Sequence, residues 1–265
     1  MKEIIANFIN ITRVSRPIGV FLLLAPCLIG VFSQIEVRSG KIFNEQIISL
    51  IMLFTLGSFI MRSAGCIIND IFDRKIDPKV ARTKNRPLAN GKMTLSQAIF
   101  FLIILLSTGL LLLVQFNIYA IICGIFSLFL VVLYPLMKRI TYFPQIFLGI
   151  VFNTGFLIAT LQIKSGIDRQ DYLIYLSLII ITFIYDTIYG FQDIEDDLKV
   201  GVKSSSIAIS KNPKQILAAL SLISSSLLLD HGIENQYSFL FHVLILFSAI
   251  YSILLIKKWQ VQDQK

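Results

Sequence analysis

The sequence predicts an all-α, polytopic membrane protein with eight spanning helices in two four-helix pseudo-repeats. Three observations carry this. The 265-residue chain is 55% apolar and only 15% charged, whereas soluble domains carry about 25% charged residues. Its apolar residues gather into long runs, each close to the roughly 20 residues that a hydrocarbon core needs. Two charged segments, one in each half, repeat a single carboxylate pattern.

The runs fall at 17–34, 47–68, 96–114, 118–136, 143–163, 171–190, 214–230 and 237–256. The first opens at Pro17 behind Arg16 and lacks a small-residue cleavage site, so it reads as a span and not as a signal peptide. The second encloses one cation, Arg62. The third and fourth form a hairpin around Gln115–Asn117, and the sixth encloses Asp186. The seventh and eighth complete a single membrane domain over 1–265, with pseudo-repeats at about 17–136 and 143–256.

The net charge of +8 does not indicate nucleic acid, because the positive residues concentrate in particular loops. With eight spans, one side collects nineteen Lys and Arg residues in the termini and in the segments around Arg74–Lys92, Lys138–Arg139 and Lys199–Lys214. The other side holds four, Arg38, Lys41, Lys164 and Arg169. The positive-inside rule then puts both termini and the two long motif loops in the cytoplasm, with a bacterial inner membrane as the expected location. Cys27, Cys66 and Cys123 stand apart in apolar sequence and read as small buried hydrophobes. His231 and His242 lie far from the charged motifs, and a His-ligated metal is not expected.

The two long loops carry the chemistry. Asn69-Asp70-Ile71-Phe72-Asp73 leads on to Asp77, Lys79 and Val80, while Asp193 leads on to Asp197, Lys199 and Val200. Asp73 and Asp193, Asp77 and Asp197, and Lys79 and Lys199 correspond at one fixed offset. Carboxylates four residues apart share a helix face, where like charges repel unless a cation lies between them. Asn69, Asp73 and Asp77 are expected to continue one such face over two turns. Oxygen-only donors suit a hard cation, and Mg²⁺ characteristically takes one or two carboxylates, waters and substrate phosphates. Arg82, Arg86 and Lys199 are placed to hold phosphate oxygens. A solvated helix end explains one such motif. Two copies in matching places favour a Mg²⁺–diphosphate site.

Further residues extend the pattern into a resemblance. Arg62-Ser63-Ala64-Gly65-Cys66-Ile67-Ile68-Asn69-Asp70 running into Asp73 and Asp77 resembles the first signature, NDxxDxxxD, of the UbiA superfamily of membrane prenyltransferases. Tyr134-Pro135-Leu136-Met137-Lys138-Arg139 is similar to that family's YxxxK element. Tyr185-Asp186-Thr187-Ile188-Tyr189, followed by Asp193 and Asp197, resembles the second signature. The forms of these elements look most like the 4-hydroxybenzoate branch. The resemblance implies eight or nine helices around a central cavity open to lipid. It implies transfer of a polyprenyl group to the ring carbon ortho to the phenol of 4-hydroxybenzoate, with Mg²⁺ and release of diphosphate, in ubiquinone biosynthesis.

On that basis Asn69, Asp73, Asp77, Asp193 and Asp197 form the expected metal shell, the four aspartates being the catalytic core. Arg82, Arg86, Lys138 and Lys199 are the diphosphate contacts. Arg139 is a bidentate partner for the acceptor carboxylate, or else a positive-inside anchor. Asp186 either positions the phenol or pairs with a neighbouring cation. Tyr185 and Tyr189 line the aromatic substrate, and Arg62, Tyr134 and Asp70 are secondary candidates. The expected partners are the two substrates and the lipid bilayer, with no nucleic acid and no obligate protein. Two alternatives stay open: another acceptor (a naphthoate or haem) within the superfamily, and a cation transporter.

Overall fold

The computed structural model describes residues 2–34 and 45–260; Arg38, Lys41 and Lys265 of the charge count lie outside them. The described residues are helical, with no strand among them. Seven helical stretches are long and apolar enough to cross a membrane: Glu45–Asp73, Leu95–Leu113, Ile118–Ile140, Pro144–Lys164, Arg169–Val200, Pro213–Glu234 and Phe239–Lys258. The first expected span is realised as Ile18–Ser33, an apolar helix of 16 residues. It is shorter than the other seven, so seven of the eight expected spans have full crossing length among the described residues.

The chain divides into two compact units. The first comprises residues 1–136 and 152–166. It opens with α1 (Lys2–Thr12), a helix ahead of the first expected span. This helix buries Ile11 and Thr12 and exposes Ile4, Ile5 and Ile9. Asn7 Nδ2 donates to Lys92 O at 2.9 Å, and Phe8 packs on Phe101. α2 (Ile18–Ser33) follows, then α3 (Glu45–Asp73), α4 (Leu95–Leu113) and α5 (Ile118–Ile140). α4 starts cleanly because Thr94 and Gln97 form a reciprocal capping box.

The expected fifth span is broken. α6 (Pro144–Phe152) ends at Asn153, and α7 (Thr154–Lys164) resumes beyond it and packs along α2 in the first unit. Small residues let α2 and α7 approach closely. A Cβ added to Gly30 would lie 2.7 Å from Phe156 O and 2.8 Å from the Ala159 methyl. Lipid gives helices no hydrophobic drive to associate, so close van der Waals fit and interhelical hydrogen bonds do that work. Asn117 supplies such a bond, donating through Nδ2 to Leu161 O at 2.8 Å.

The second unit comprises residues 137–151 and 167–265. α8 (Arg169–Gly190) is capped by Asp168, whose carboxylate accepts from Gln170 N and Asp171 N. A 3₁₀ turn over Phe191–Asp193 leads into α9 (Ile194–Val200), and α10 (Ser205–Ala208) is a single turn. α11 (Pro213–Glu234) packs on both α8 and α12 (Phe239–Lys258). Between α8 and α11, buried Ser177 and Ser224 share a hydroxyl pair at 2.7 Å. His231 is held by Gln170, Tyr237 and Asn235, a structural setting in keeping with its distance from the motifs. Cys27, Cys66 and Cys123 are free thiols, the first two buried and the third half-buried.

Gly30→Val should lower the melting temperature in detergent, because overpacking a close helix pair costs about 1–3 kcal/mol. Gly57→Ala is the control, since nothing lies within 4 Å of a Cβ added there; its melting temperature should stay level or rise. Equal loss in both would show that the α2–α7 approach is not the cause.

Candidate active site

α3 has 29 residues, about 43 Å at 1.5 Å per residue, so it outruns a hydrocarbon core of about 30 Å. Its last turn carries the first motif. Asn69 and Asp73 are one turn apart on one face, and Asn69 Nδ2 donates to Asp73 Oδ2 at 3.2 Å. The helix ends at Asp73. Asp77 begins a separate 3₁₀ turn, Asp77–Lys79, so the face expected to run through Asp77 stops one turn short. The physical reason is Pro78, which removes a backbone donor and disfavours helix in the residue before it. Asp77 is nonetheless brought back, since Thr83 Oγ1 donates to its carbonyl at 3.0 Å.

Three aspartates here are buried: Asp70 is 1% exposed, Asp73 5% and Asp77 4%. Arg13 Nη2 donates to Asp70 Oδ1 at 2.6 Å. Arg86 Nη1 donates to the same oxygen at 3.0 Å and to Asp77 Oδ2 at 2.9 Å. Asp70, expected to be secondary, is therefore the hub of the first motif. Arg86, expected on phosphate, is engaged with two carboxylates. Burial pushes the Asp77 carboxyl above the ordinary carboxylate range, and Arg86 draws it part of the way back. Asp70 Oδ2 is buried and accepts no hydrogen bond among the described residues.

Sequence reasoning counted Arg13 only as a positive charge. It lies 57 residues from Asp70, in a turn where it takes a left-handed φ of 56°. No spacing rule connects such a pair. Arg82 and Lys79 are exposed. Arg62, inside α3, packs its guanidinium against Gly19 and over the Phe152 ring, 5.9 Å from its centroid.

In the second unit, Asp193 closes the 3₁₀ turn that caps α9, and Asp197 lies within α9. Both are half-buried. Lys199 is exposed and faces Asp196 at 3.7 Å. Tyr185 and Asp186 are half-buried on α8, whereas Tyr189 is exposed. Hydroxyls hold this motif. Thr187 Oγ1 and Ser205 Oγ lie 2.6 Å apart, and Ser206 Oγ donates to Thr187 O at 2.8 Å. Ser205 N donates to Gln145 Oε1 at 3.0 Å. The end of α5 is tied in through Lys203, whose N donates to Lys138 O at 3.0 Å and whose Nζ donates to Ile140 O at 3.1 Å. These bonds satisfy carbonyls that a helix C-terminus leaves open. Lys138 is half-buried and Arg139 exposed on that last turn, with Tyr134 half-buried one turn earlier.

The UbiA prenyltransferase family model matches residues 23–265. This chain belongs to the UbiA prenyltransferase family. It is 37% identical over 262 residues to the mitochondrial 4-hydroxybenzoate polyprenyltransferase of Schizosaccharomyces pombe, covering 97% of this chain and 73% of that protein. It is 41% identical over 224 residues to the 4-hydroxybenzoate octaprenyltransferase of Colwellia psychrerythraea, covering 84% and 75%. The chain spans from about half to three quarters of the length of the curated relatives it matches. A UbiA homologue from Archaeoglobus fulgidus, solved bound to GPP and Mg²⁺, superposes with a TM-score of 0.75 at 17% identity, over 96% of this chain and 88% of that one. That likeness shows the shared helical membrane fold.

The donor chemistry of the first motif fits Mg²⁺. It offers amide and carboxylate oxygens and no soft ligand. Among the described residues no three His, Cys, Asp or Glu side chains gather as a ready-made metal cage. Mg²⁺ does not need one, because it keeps waters and substrate phosphates as ligands.

Arg13→Met should destabilise the protein by about 3–5 kcal/mol, because it strips a buried carboxylate of its closest partner. Arg13→Met combined with Asp70→Asn should recover much of the loss. Chemical denaturation of the two single variants and the double variant gives the coupling; strictly additive losses would dissolve the pairing.

Proposed function

We propose that this chain transfers a polyprenyl group from polyprenyl diphosphate to the carbon ortho to the hydroxyl of 4-hydroxybenzoate and releases diphosphate, a step of ubiquinone biosynthesis. The observation that carries the reading is its similarity, over 97% of its length, to an enzyme bearing that name. The buried oxygen donors of the first motif and the repeated donor set of the second support it.

The phenol ring is a modest nucleophile, so the leaving group must be stabilised as its bond to carbon breaks. Bound Mg²⁺ would neutralise the charge that develops on the diphosphate oxygens. Asn69, Asp73 and Asp77 would hold one such ion in the first motif, and Asp193 and Asp197 would offer the same donor chemistry in the second. Asp70 acts behind them, anchoring Arg86 beside Asp77. With Asp77 serving as a metal ligand, the Arg86 donor that now faces it would be available to phosphate, which reconciles its present pairing with a phosphate role. Lys138, Arg82 and Lys199 offer further positive charge. Tyr134, Tyr185, Tyr189 and Asp186 are assigned to the aromatic and allylic parts of the substrates, where a dry, π-rich wall stabilises a carbocation. Arg139, exposed at the end of α5, is the first contact for a soluble acid arriving from the aqueous side. The two motifs correspond as pseudo-repeats of one pattern. The nineteen-to-four distribution of Lys and Arg supports motif loops on the cytoplasmic face of the membrane.

Membranes containing the protein, incubated with 4-hydroxybenzoate, a polyprenyl diphosphate and Mg²⁺, should yield the prenylated acid by mass spectrometry. Excess chelator should abolish the product, and added Mg²⁺ should restore it. Asp73→Ala and Asp193→Ala should each lower kcat by more than about 100-fold while the melting temperature holds within a few degrees. A variant keeping a tenth of the wild-type rate would remove that aspartate from the metal shell.

A further inference from the structure

α1 carries apolar residues on two opposite sides, and the protein covers only one of them. At about 3.6 residues per turn, Asn7 and Ile11 share one face while Ile5 and Ile9 share the face opposite. The first face is fixed. Asn7 Nδ2 donates to Lys92 O at 2.9 Å, and Ile11 is wholly buried in a cluster with Ala64, Ile67, Met93 and Ala98. On the second face Ile5 is 54% exposed and Ile9 41%. Phe8 joins the two faces along one flank, and exposed Asn10 separates them along the other. A helix standing in water would be polar where Ile5 and Ile9 lie.

The level of α1 identifies what covers that face. α4 is 19 residues long, about 28 Å, so it fills a hydrocarbon core of about 30 Å from its first residue, Leu95. α3 is longer than the core by roughly 13 Å, the rise of about nine residues, so with Glu45 at one boundary the other falls near Ala64. α1 runs between these two points. Its middle is bonded to Lys92 just ahead of α4, Ile11 packs at Ala64 and Ile67, and Arg13 beyond its end reaches Asp70. The helix thus crosses from the start of α4 to the end of α3 at one level, the edge of the hydrocarbon. Its surface is also continuous with that of a spanning helix. The Phe8 ring packs on Phe101 at 4.8 Å, and Phe101 packs on exposed Phe100 at 5.9 Å.

We propose that α1 lies in the plane of the bilayer boundary and docks on lipid, with Ile5 and Ile9 buried among the acyl chains just below the headgroups. An amphipathic helix at this depth buries its apolar face and leaves its polar flank in the headgroup layer. Asn10 is that flank here, and exposed Lys92 and Arg16 stand beside the helix and beyond its end, where headgroup phosphates meet cations. Arg13, the residue after α1, is bonded to Asp70. The same helix therefore meets lipid on one face and adjoins the first motif at its end.

The test measures tryptophan depth in vesicles. The chain has a single tryptophan, Trp259, so Trp259→Phe gives a silent background for Ile5→Trp, Ile9→Trp, Asn10→Trp and Phe100→Trp. Each is reconstituted at low protein density in phosphatidylcholine brominated either just below the headgroups or near the chain ends. The Ile5→Trp and Ile9→Trp variants should lose most of their emission to the shallow bromine and little to the deep one, since such a face sits about 5–10 Å into the boundary. Phe100→Trp should be quenched by brominated lipid, and Asn10→Trp by aqueous iodide. If the emission at positions 5 and 9 responds to iodide and not to bromine, the face is in water and the proposal fails. If it responds to neither, protein covers the face, and the proposal fails equally. A second measurement uses the unaltered chain in phosphatidylcholine carrying a photoreactive diazirine just below the headgroup. Trypsin cleavage after Lys2 and Arg13 releases residues 3–13, and cleavage after Lys92 and Lys138 releases residues 93–138, which contain α4. Both peptides should carry lipid. Label on the α4 peptide alone would overturn the proposal without any substitution.

Discussion

The carboxylate of Asp70 is the constraint around which the first unit is organised. It is almost wholly buried at the end of a membrane helix, and an uncompensated charge there would cost several kcal/mol. Two arginines remove that cost from different directions. Arg13 comes from the turn between α1 and α2, and Arg86 comes from the loop beyond α3. The pairing thereby fixes the α1–α2 turn to α3 and folds the segment 77–90 back against the helix end. It also accounts for the left-handed backbone at Arg13, a conformation that costs an ordinary residue about 1 kcal/mol or more and persists where its surroundings insist on it. With the Asp70 charge paired through Oδ1 in this way, Asn69 and Asp73 keep a helical face of their own.

The second motif repeats the carboxylate spacing but not its support. The first loop carries Arg74, Arg82 and Arg86, whereas the segment 191–213 has no arginine. Its geometry depends on neutral hydroxyls and an amide: Thr187, Ser205, Ser206 and Gln145. Gly190 belongs to the same knot, because a Cβ there would crowd Ser206 Oγ. The difference has an electrostatic consequence. Among the carboxylates of the first motif, fixed guanidinium charge already offsets much of the repulsion. In the second, half-buried Asp193 and Asp197 share their segment with lysines and no arginine.

Much of this was legible in the sequence, and the limits of legibility are physical. Apolar runs of bilayer length located the spanning helices to within a few residues, because lipid demands continuous apolar, internally hydrogen-bonded segments. The same rule is blind to a break like the one at Asn153, where the run stays apolar while the helix stops. The carboxylate motifs stood out because like charges at helical spacing need an explanation. Their exact course did not, since Pro78 ends the face that the spacing alone would extend to Asp77. Arg13 stayed hidden among the positive-inside residues because an ion pair across 57 residues leaves no periodic trace. Thr187 and Ser205 escaped for a similar reason: a hydroxyl pair has no signature apart from its geometry.

α3 brings these strands together, because a single straight helix converts sequence spacing into depth. Arg62, Asn69 and Asp73 fall on one face at successive levels. At the helix end, where hydration and phosphate oxygens are available, acidic residues and exposed cations such as Lys79 and Arg82 are tolerable and useful. Two turns inward, only a group whose charge is spread over a plane and partly covered by an aromatic ring is tolerable without a protein counter-ion. Gly19 on α2 gives that group its room, and its missing side chain is as specific a feature as a charged one would be. The helix face thus carries oxygen donors at its end and a cation two turns inward.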